Sequence, residues 1–317
     1  MTEANNTIPL LTLQDGHRIP QIGLGTWKCS PDETEAVVMA ALDAGYRHID
    51  CAFIYGNEVG VGNAMKGKLD GGSLSREDMF VTSKLWNTYH GKDDVKSGFL
   101  RSLESLQLEY LDLFLIHTPV AYQRGDQIFP KGDDGYPIFA DVDYIETWKG
   151  MECLVEEGLV RSIGLSNFNE KQIRRVLEVA TIKPVINQIE VNPYFTNTAL
   201  IEFCKSKNIT VVAYSPLGPT AHRAGYSPGD KILLEDPVIN AVAKKHRKAP
   251  SQVAVRYAID KGLVVLTKSS KFERIKKNIQ VFDFHLDEDD IVAIDNMNQN
   301  QRTVPSTMNL KSPYYPF

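Results

Sequence analysis

Eight short apolar runs, each separated from the next by a stretch with helical periodicity, constrain this chain more than any other feature. They lie at 21–27, 48–52, 79–85, 111–117, 162–166, 185–191, 210–216 and 263–268. Segments such as Leu113-Phe114-Leu115-Ile116 lack the polar alternation of a half-exposed strand, and so read as strands covered on both faces. Between the runs, Ile173, Val176, Leu177 and Ala180 line one helical face, and Val95, Phe99, Leu103 and Leu106 another. Gly45 follows a helical stretch at 34–44, where a left-handed cap favours glycine. Eight strands alternating with helices predict a parallel α/β fold, and the count of eight predicts a closed (β/α)8 TIM barrel. A hairpin precedes it, running through 10–13, turning at Asp15-Gly16 and returning through Ile19.

The 317 residues are expected to form one domain, with the barrel at 8–298 and a tail at 299–317. Two intervals, between the fourth and fifth runs and between the seventh and eighth, exceed the others. Part of each excess directly follows a strand, in 119–142 and 217–236, which are rich in Gly, Pro, Asp and Tyr. Loops leaving strand C-termini open onto one rim of a barrel, where sites are built. The irregular tail is expected to fold over that same rim as a third wall.

A formal net charge of −5 gives no electrostatic case for nucleic acid or a membrane surface as partner. Cys29, Cys51, Cys153 and Cys204 are too scattered for a disulfide framework or a zinc ribbon. The first residues carry no basic or apolar leader, and no run has the ~20 apolar residues of a membrane helix, so a cytoplasmic location is expected. Gly23-Leu24-Gly25 is followed by Lys28 where a dinucleotide fingerprint needs its third glycine, and Gly60-Val61-Gly62 by Met65. Gly164-Leu165-Ser166 lacks the closing glycine of a nucleophile elbow, and no metal-binding motif occurs.

What remains is a set of titratable residues at the ends of three consecutive strands. Asp50 ends the second run and leads to Tyr55, Lys84 lies in the third, and His117 closes the fourth. A phenol titrates near pH ~10. A buried lysine beside it favours the phenolate, and an aspartate keeps that lysine charged. A histidine can hydrogen-bond the reacting oxygen. Taken singly, Lys84 can also end a strand at solvent, Asp50 can cap the next turn, and Tyr55 and His117 can be core residues.

Gly23-Leu24-Gly25-Thr26-Trp27, Gly45-Tyr46-Arg47-His48-Ile49-Asp50 with Tyr55-Gly56-Asn57-Glu58, Ser83-Lys84-Leu85-Trp86 and Leu115-Ile116-His117 resemble successive signatures of the aldo-keto reductase family. So do Gly164-Leu165-Ser166-Asn167-Phe168, Asn187-Gln188, Ala213-Tyr214-Ser215-Pro216-Leu217-Gly218 and Lys268-Ser269. The resemblance runs from about residue 8 to the closing Tyr315-Pro316-Phe317 and is greatest to the aldose reductase and xylose reductase branch.

That resemblance implies a metal-free barrel enzyme that binds NADPH and reduces small aldehydes or sugars to alcohols as a monomer. Tyr55 would be the general acid, Lys84 and Asp50 would lower its pKa, and His117 would orient the carbonyl. The nicotinamide would stack on Tyr214, with its carboxamide on Ser166, Asn167 and Gln188. Thr26, Trp27, Lys28, Ser215 and Leu217 would also contact the cofactor, Lys28, Ser215 and Leu217 at its pyrophosphate. The 2′-phosphate would fall on Lys268, Ser269 and Arg274. Two cations and a hydroxyl near a helix N-terminus suit a dianion whatever the family. Asn278 matches an adenine contact, although Lys277 stands where the aldose reductase pattern is acidic. Trp27, Phe53, Trp86, His117 and Phe129 would wall the substrate pocket, with Gln301 and Val304 on its tail side. Thr118 replaces the tryptophan that aldose reductases carry beside the histidine, and Gln301 and Ser306 replace apolar tail residues, so a more polar pocket is expected. The alternative is a non-catalytic NADPH-binding regulatory or structural protein on the same fold. Reduction of steroid carbon–carbon double bonds, which in this family goes with Glu at the histidine position, is disfavoured by His117.

Overall fold

The computed structural model describes residues 8–125, 127–219 and 231–317. The expected loop at 217–236 therefore lies partly outside the described residues, as does the leader reading of 1–7. The hairpin pairs β1 (Leu10–Thr12) with β2 (Arg18–Pro20) in antiparallel register. Eight parallel strands then close a barrel: β3 (Ile22–Gly25), β4 (His48–Asp50), β5 (Phe80–Leu85), β6 (Leu111–Ile116), β7 (Val160–Ser166), β8 (Ile186–Glu190), β9 (Thr210–Tyr214) and β10 (Val264–Thr267). Closure comes from β10 beside β3, with Val265 opposite Ile22 and Thr267 opposite Leu24. The strands follow the order predicted from the apolar runs, each inside or within two residues of its run.

Successive side chains on a strand point to opposite faces, and this divides the apolar residues into two cores. Val81, Leu85, Phe114, Ile116, Ile163, Leu165 and Val265 face outward, into a shell packed against the helices. These include α1 (Pro31–Asp43), α2 (Glu58–Asp70), α3 (Val95–Leu106), α4 (Tyr144–Glu156) and α5 (Glu170–Val179). Five more follow: α6 (Thr198–Ser206), α7 (Pro237–His246), α8 (Pro250–Asp260), α9 (Phe272–Ile279) and α10 (Glu288–Asp295). Phe80, Leu113, Leu115, Ile186, Val212, Val264 and Leu266 face inward, together with Leu13 and Ile19 from the hairpin. The hairpin thus covers the end where the strands begin. It is tied there by Gln14, whose Nε2 donates to the Pro184 carbonyl, and by Ser162, whose hydroxyl donates to Asp15.

Two glycines make room in the filled interior. A Cβ on Gly23 would meet the His48 ring at 2.6 Å, and one on Gly164 would meet the Ile186 carbonyl oxygen at 2.8 Å. Gly45 has φ +101, as its place just beyond α1 requires.

The tail folds over the opposite, C-terminal end of the strands. The Glu190 carboxylate, at the end of β8, accepts the backbone N–H groups of Thr303 and Val304. The chain end docks on the α5 cap: Asn169 Nδ2 donates to the Pro316 carbonyl and Gln172 Nε2 to that of Tyr314. Among the described residues, no helix is long and apolar enough to cross a membrane.

Candidate active site

Inward-facing positions at the ends of β4 and β5 belong to Asp50 and Lys84, which is why two charges sit inside the barrel. Lys84 is fully buried and Asp50 nearly so. Lys84 Nζ donates to Asp50 Oδ1 at 2.6 Å and to the Cys51 carbonyl at 2.8 Å. Its third donor reaches the Tyr55 hydroxyl at 3.4 Å. Gln188 Nε2 donates to the other Asp50 oxygen at 2.8 Å. Burial by itself would drive Lys84 toward neutrality, but Asp50 and Tyr55 beside it hold its pKa above the ordinary lysine value.

Tyr55 stands in a short 3-10 turn, Phe53–Tyr55, closed by Gly56 at φ 67. Asn57 secures the following residues by donating to the carbonyls of Thr26 and Cys29. Glu58 locks α2 onto β5 by accepting from the Ser83 hydroxyl at 2.6 Å. The Tyr55 ring lies 4.9 Å from Trp27 and 5.8 Å, edge-on, from His117. Burial pushes the phenol up to about 12, against the opposing charge and hydrogen bond of Lys84. Of the two groups expected to lower the phenol, Lys84 does so through its charge and hydrogen bond, while the negative charge of Asp50 raises it, and desolvation outweighs Lys84.

His117 follows β6 directly and is held neutral, well below the ordinary histidine value, by burial and by the Lys84 charge. Its Nδ1 is buried without a hydrogen-bond partner among the described residues. The Trp86 ring packs edge-on against His117 at 5.6 Å and against Phe129 at 5.2 Å. Phe53 packs on Tyr89 next to this cluster. Trp27 and Trp86 thus flank Tyr55 and His117, with Phe129 behind Trp86, whereas the Phe53 ring packs on Tyr89 and Arg101. Gln301 and Val304 are exposed on the tail, Val304 being held there through its backbone.

The expected cofactor residues line the same rim. Ser166 donates to the Gln188 carbonyl, Asn167 Nδ2 to the His117 carbonyl, and the Tyr214 hydroxyl to Asn167 Oδ1. Lys28 (φ 60), Asn167 (φ 61) and Ser215 (φ 52) hold left-handed backbone without being glycine, as do six other described residues, several of them at helix ends. Thr26 is buried, its hydroxyl donating to the Asp50 carbonyl, and Leu217 is half-buried. Lys268 Nζ donates to the Lys28 carbonyl at 3.2 Å, which joins two segments far apart in the chain. Lys268 and Ser269 stand half-buried just before α9, Arg274 is exposed in its first turn, and Asn278 is buried further along it.

Three contributors escaped the sequence reading. Gln188, assigned to a carboxamide, also supports Asp50. Glu190 anchors the tail, and the only signal for it was a carboxylate at the end of an apolar strand. Asn87 sits beneath Thr118, whose hydroxyl donates to its Oδ1 at 3.0 Å.

The chain matches the Aldo/keto reductase family over residues 21–299. It is 48% identical to Aldo-keto reductase family 1 member A1-A of Danio rerio, over 97% of this chain and 98% of that protein. Dihydrodiol dehydrogenase 3 of Bos taurus is 46% identical over 96% of each chain. The solved aldose reductase of Schistosoma japonicum superposes with a TM-score of 0.92 at 42% identity, covering 98% of this chain and 99% of that one. The chain belongs to the aldo/keto reductase family, and is an oxidoreductase.

Proposed function

We propose that this protein reduces aldehydes, including aldoses, to alcohols with NADPH, and that Tyr55 is its proton donor. The observation that carries this reading is the buried chain Gln188–Asp50–Lys84–Tyr55 ending beside His117 under an aromatic wall. NADPH fits the rim on two counts. Lys28, Asn167 and Ser215 come together on that rim, and the cations Lys268 and Arg274, with the Ser269 hydroxyl, suit a 2′-phosphate. Bound there, NADPH supplies the hydride for the carbonyl carbon.

The chain's own groups supply the rest. Tyr55 keeps its proton at neutral pH, so Oη can deliver it to the carbonyl oxygen as negative charge develops there. Lys84 Nζ, pointing at Oη, stabilises the phenolate left behind. Asp50, with one oxygen on Lys84 and the other on Gln188, keeps the ammonium charged and fixed. His117, held neutral, donates a hydrogen bond from Nε2 that orients the carbonyl without competing as an acid. Trp27, Trp86 and Phe129 supply an apolar wall for the rest of the substrate.

Loss of NADPH absorbance in the presence of glyceraldehyde or 4-nitrobenzaldehyde tests the proposal. Turnover by the native protein, abolished in Tyr55→Phe with NADPH binding retained, is the expected result. Binding of NADPH without oxidation by any aldehyde would overturn it in favour of a regulatory role.

A further inference from the structure

The tail meets the barrel mouth at a second point, beyond the Glu190 contact. Asn309 and Tyr122 are both about 2% exposed, and the Tyr122 hydroxyl donates to Asn309 Oδ1 at 2.7 Å. Asn309 in turn donates from Nδ2 to the Ser306 hydroxyl at 3.0 Å and from its backbone to the Ser306 carbonyl. Ser306 holds left-handed backbone at φ 50. On the other side, the Tyr122 N–H donates to the Asn87 carbonyl, and the Tyr122 ring packs edge-on against Trp86 at 5.7 Å. Trp86 touches His117 and also donates from Nε1 to the Ile128 carbonyl, binding the loop after β6 to the pocket wall.

Apolar burial does not hold this part of the tail. Val304, Met308 and Leu310 are 40%, 40% and 53% exposed. A buried hydroxyl and a buried amide oxygen, by contrast, each require a partner, and each of these two meets that need with the other. The constraint is directional, and it fixes how far the tail stands from Trp86.

We propose that Tyr122 and Asn309 are specificity-determining positioning residues: a clasp that sets the tail as the far wall of the pocket for substrates long enough to reach it. The proposal rests on the aldehyde-reductase reading. Neither residue touches the reacting atoms, so the clasp acts on the fit of large substrates and leaves the chemical step alone.

The test compares the full-length protein with Tyr122→Phe, Asn309→Leu and the double variant. Hydrogen exchange of the 303–312 amides is measured alongside steady-state kinetics on glyceraldehyde and 4-nitrobenzaldehyde. Each single variant is expected to speed exchange in 303–312 and to raise KM for the nitrobenzaldehyde by roughly 2- to 10-fold, the scale of one net hydrogen bond. Its kcat, and both constants for glyceraldehyde, should hold. The double variant should be no worse than Asn309→Leu, because the bond that Tyr122→Phe removes is already lost there, together with the one to Ser306. Unchanged exchange, or equal losses on both aldehydes, would overturn the clasp. If the native protein reduces no aldehyde, the functional reading fails, and exchange alone decides: faster exchange in 303–312 upholds the clasp as the hold on the tail, and unchanged protection refutes it.

Discussion

Phe80 and Lys84 project into the same barrel from the same strand, yet they sit in opposite kinds of interior. Around Phe80 the hairpin residues Leu13 and Ile19 join Leu113, Ile186, Val212 and Val264 in a closed apolar plug. The polar side chain among them, His48, is kept neutral by burial, at about 3, and pairs with the Thr82 hydroxyl. Around Lys84 the interior holds an ammonium, a carboxylate, a phenol and an imidazole. One end is stabilised by removing groups from water. At the other, each charged group is tolerated because a neighbour satisfies it, and an unpaired charge there would cost several kcal/mol. A barrel can therefore carry reactive groups at one end because the other end is filled independently of them.

The sharpest test of that division is Tyr55→Phe, which removes one oxygen from the open end. The rate of aldehyde reduction should fall by about 10²–10⁴-fold while thermal stability and NADPH affinity hold. A comparable loss of stability would mean that the reactive end also supports the fold. Next comes the matched pair Lys84→Met and Phe80→Ala. Both should destabilise by about 3–5 kcal/mol in urea titrations, the first by stranding Asp50 and the second by leaving a cavity. Only Lys84→Met should also depress kcat, since Phe80 contacts nothing reactive. Equal kcat in the two folded variants would erase the distinction.

Acid should discriminate the buried histidines from the carboxylates. His48 and His90 are both held at about 3 by burial, far below an unfolded histidine near ~6.5. Between those values the unfolded chain binds more protons, so stability drops as pH falls through the window, by up to about 1.4 kcal/mol per pH unit for each histidine. His48→Gln should flatten the urea-derived slope by about one proton, and an unaltered slope would contradict the neutral plug. The smallest effect is expected at the exposed edge of the mouth. Lys268→Ala or Arg274→Ala should weaken NADPH by about tenfold and NADH little; equal weakening of both would remove the 2′-phosphate assignment.

Strand order and the acid–base set were legible because both are local. Doubly covered strands leave unbroken apolar runs, and Asp50, Lys84 and His117 interrupt or end such runs with groups that need partners. What stayed hidden depends on residues that meet only in the folded barrel. Gln188 and Asp50 are 138 positions apart, Thr303 and Glu190 are 113, and Tyr122 and Asn309 are 187, and no periodicity encodes such pairings. The rise of Tyr55 was equally out of reach. Its direction depends on depth of burial against one lysine, and the order of residues states that a lysine is near but not how much water is gone.

The pairing of β10 with β3 has a consequence for how this protein is made. The first barrel strand, Ile22–Gly25, finds its second neighbour only in Val264–Thr267, near the end of the chain. A ribosome must therefore release most of the polypeptide before the cylinder can seal. Until then β3 waits with one edge bare, and the nascent chain carries an open sheet able to pair with another copy. A chaperone holding the nascent chain would cover that edge until Val264–Thr267 emerges.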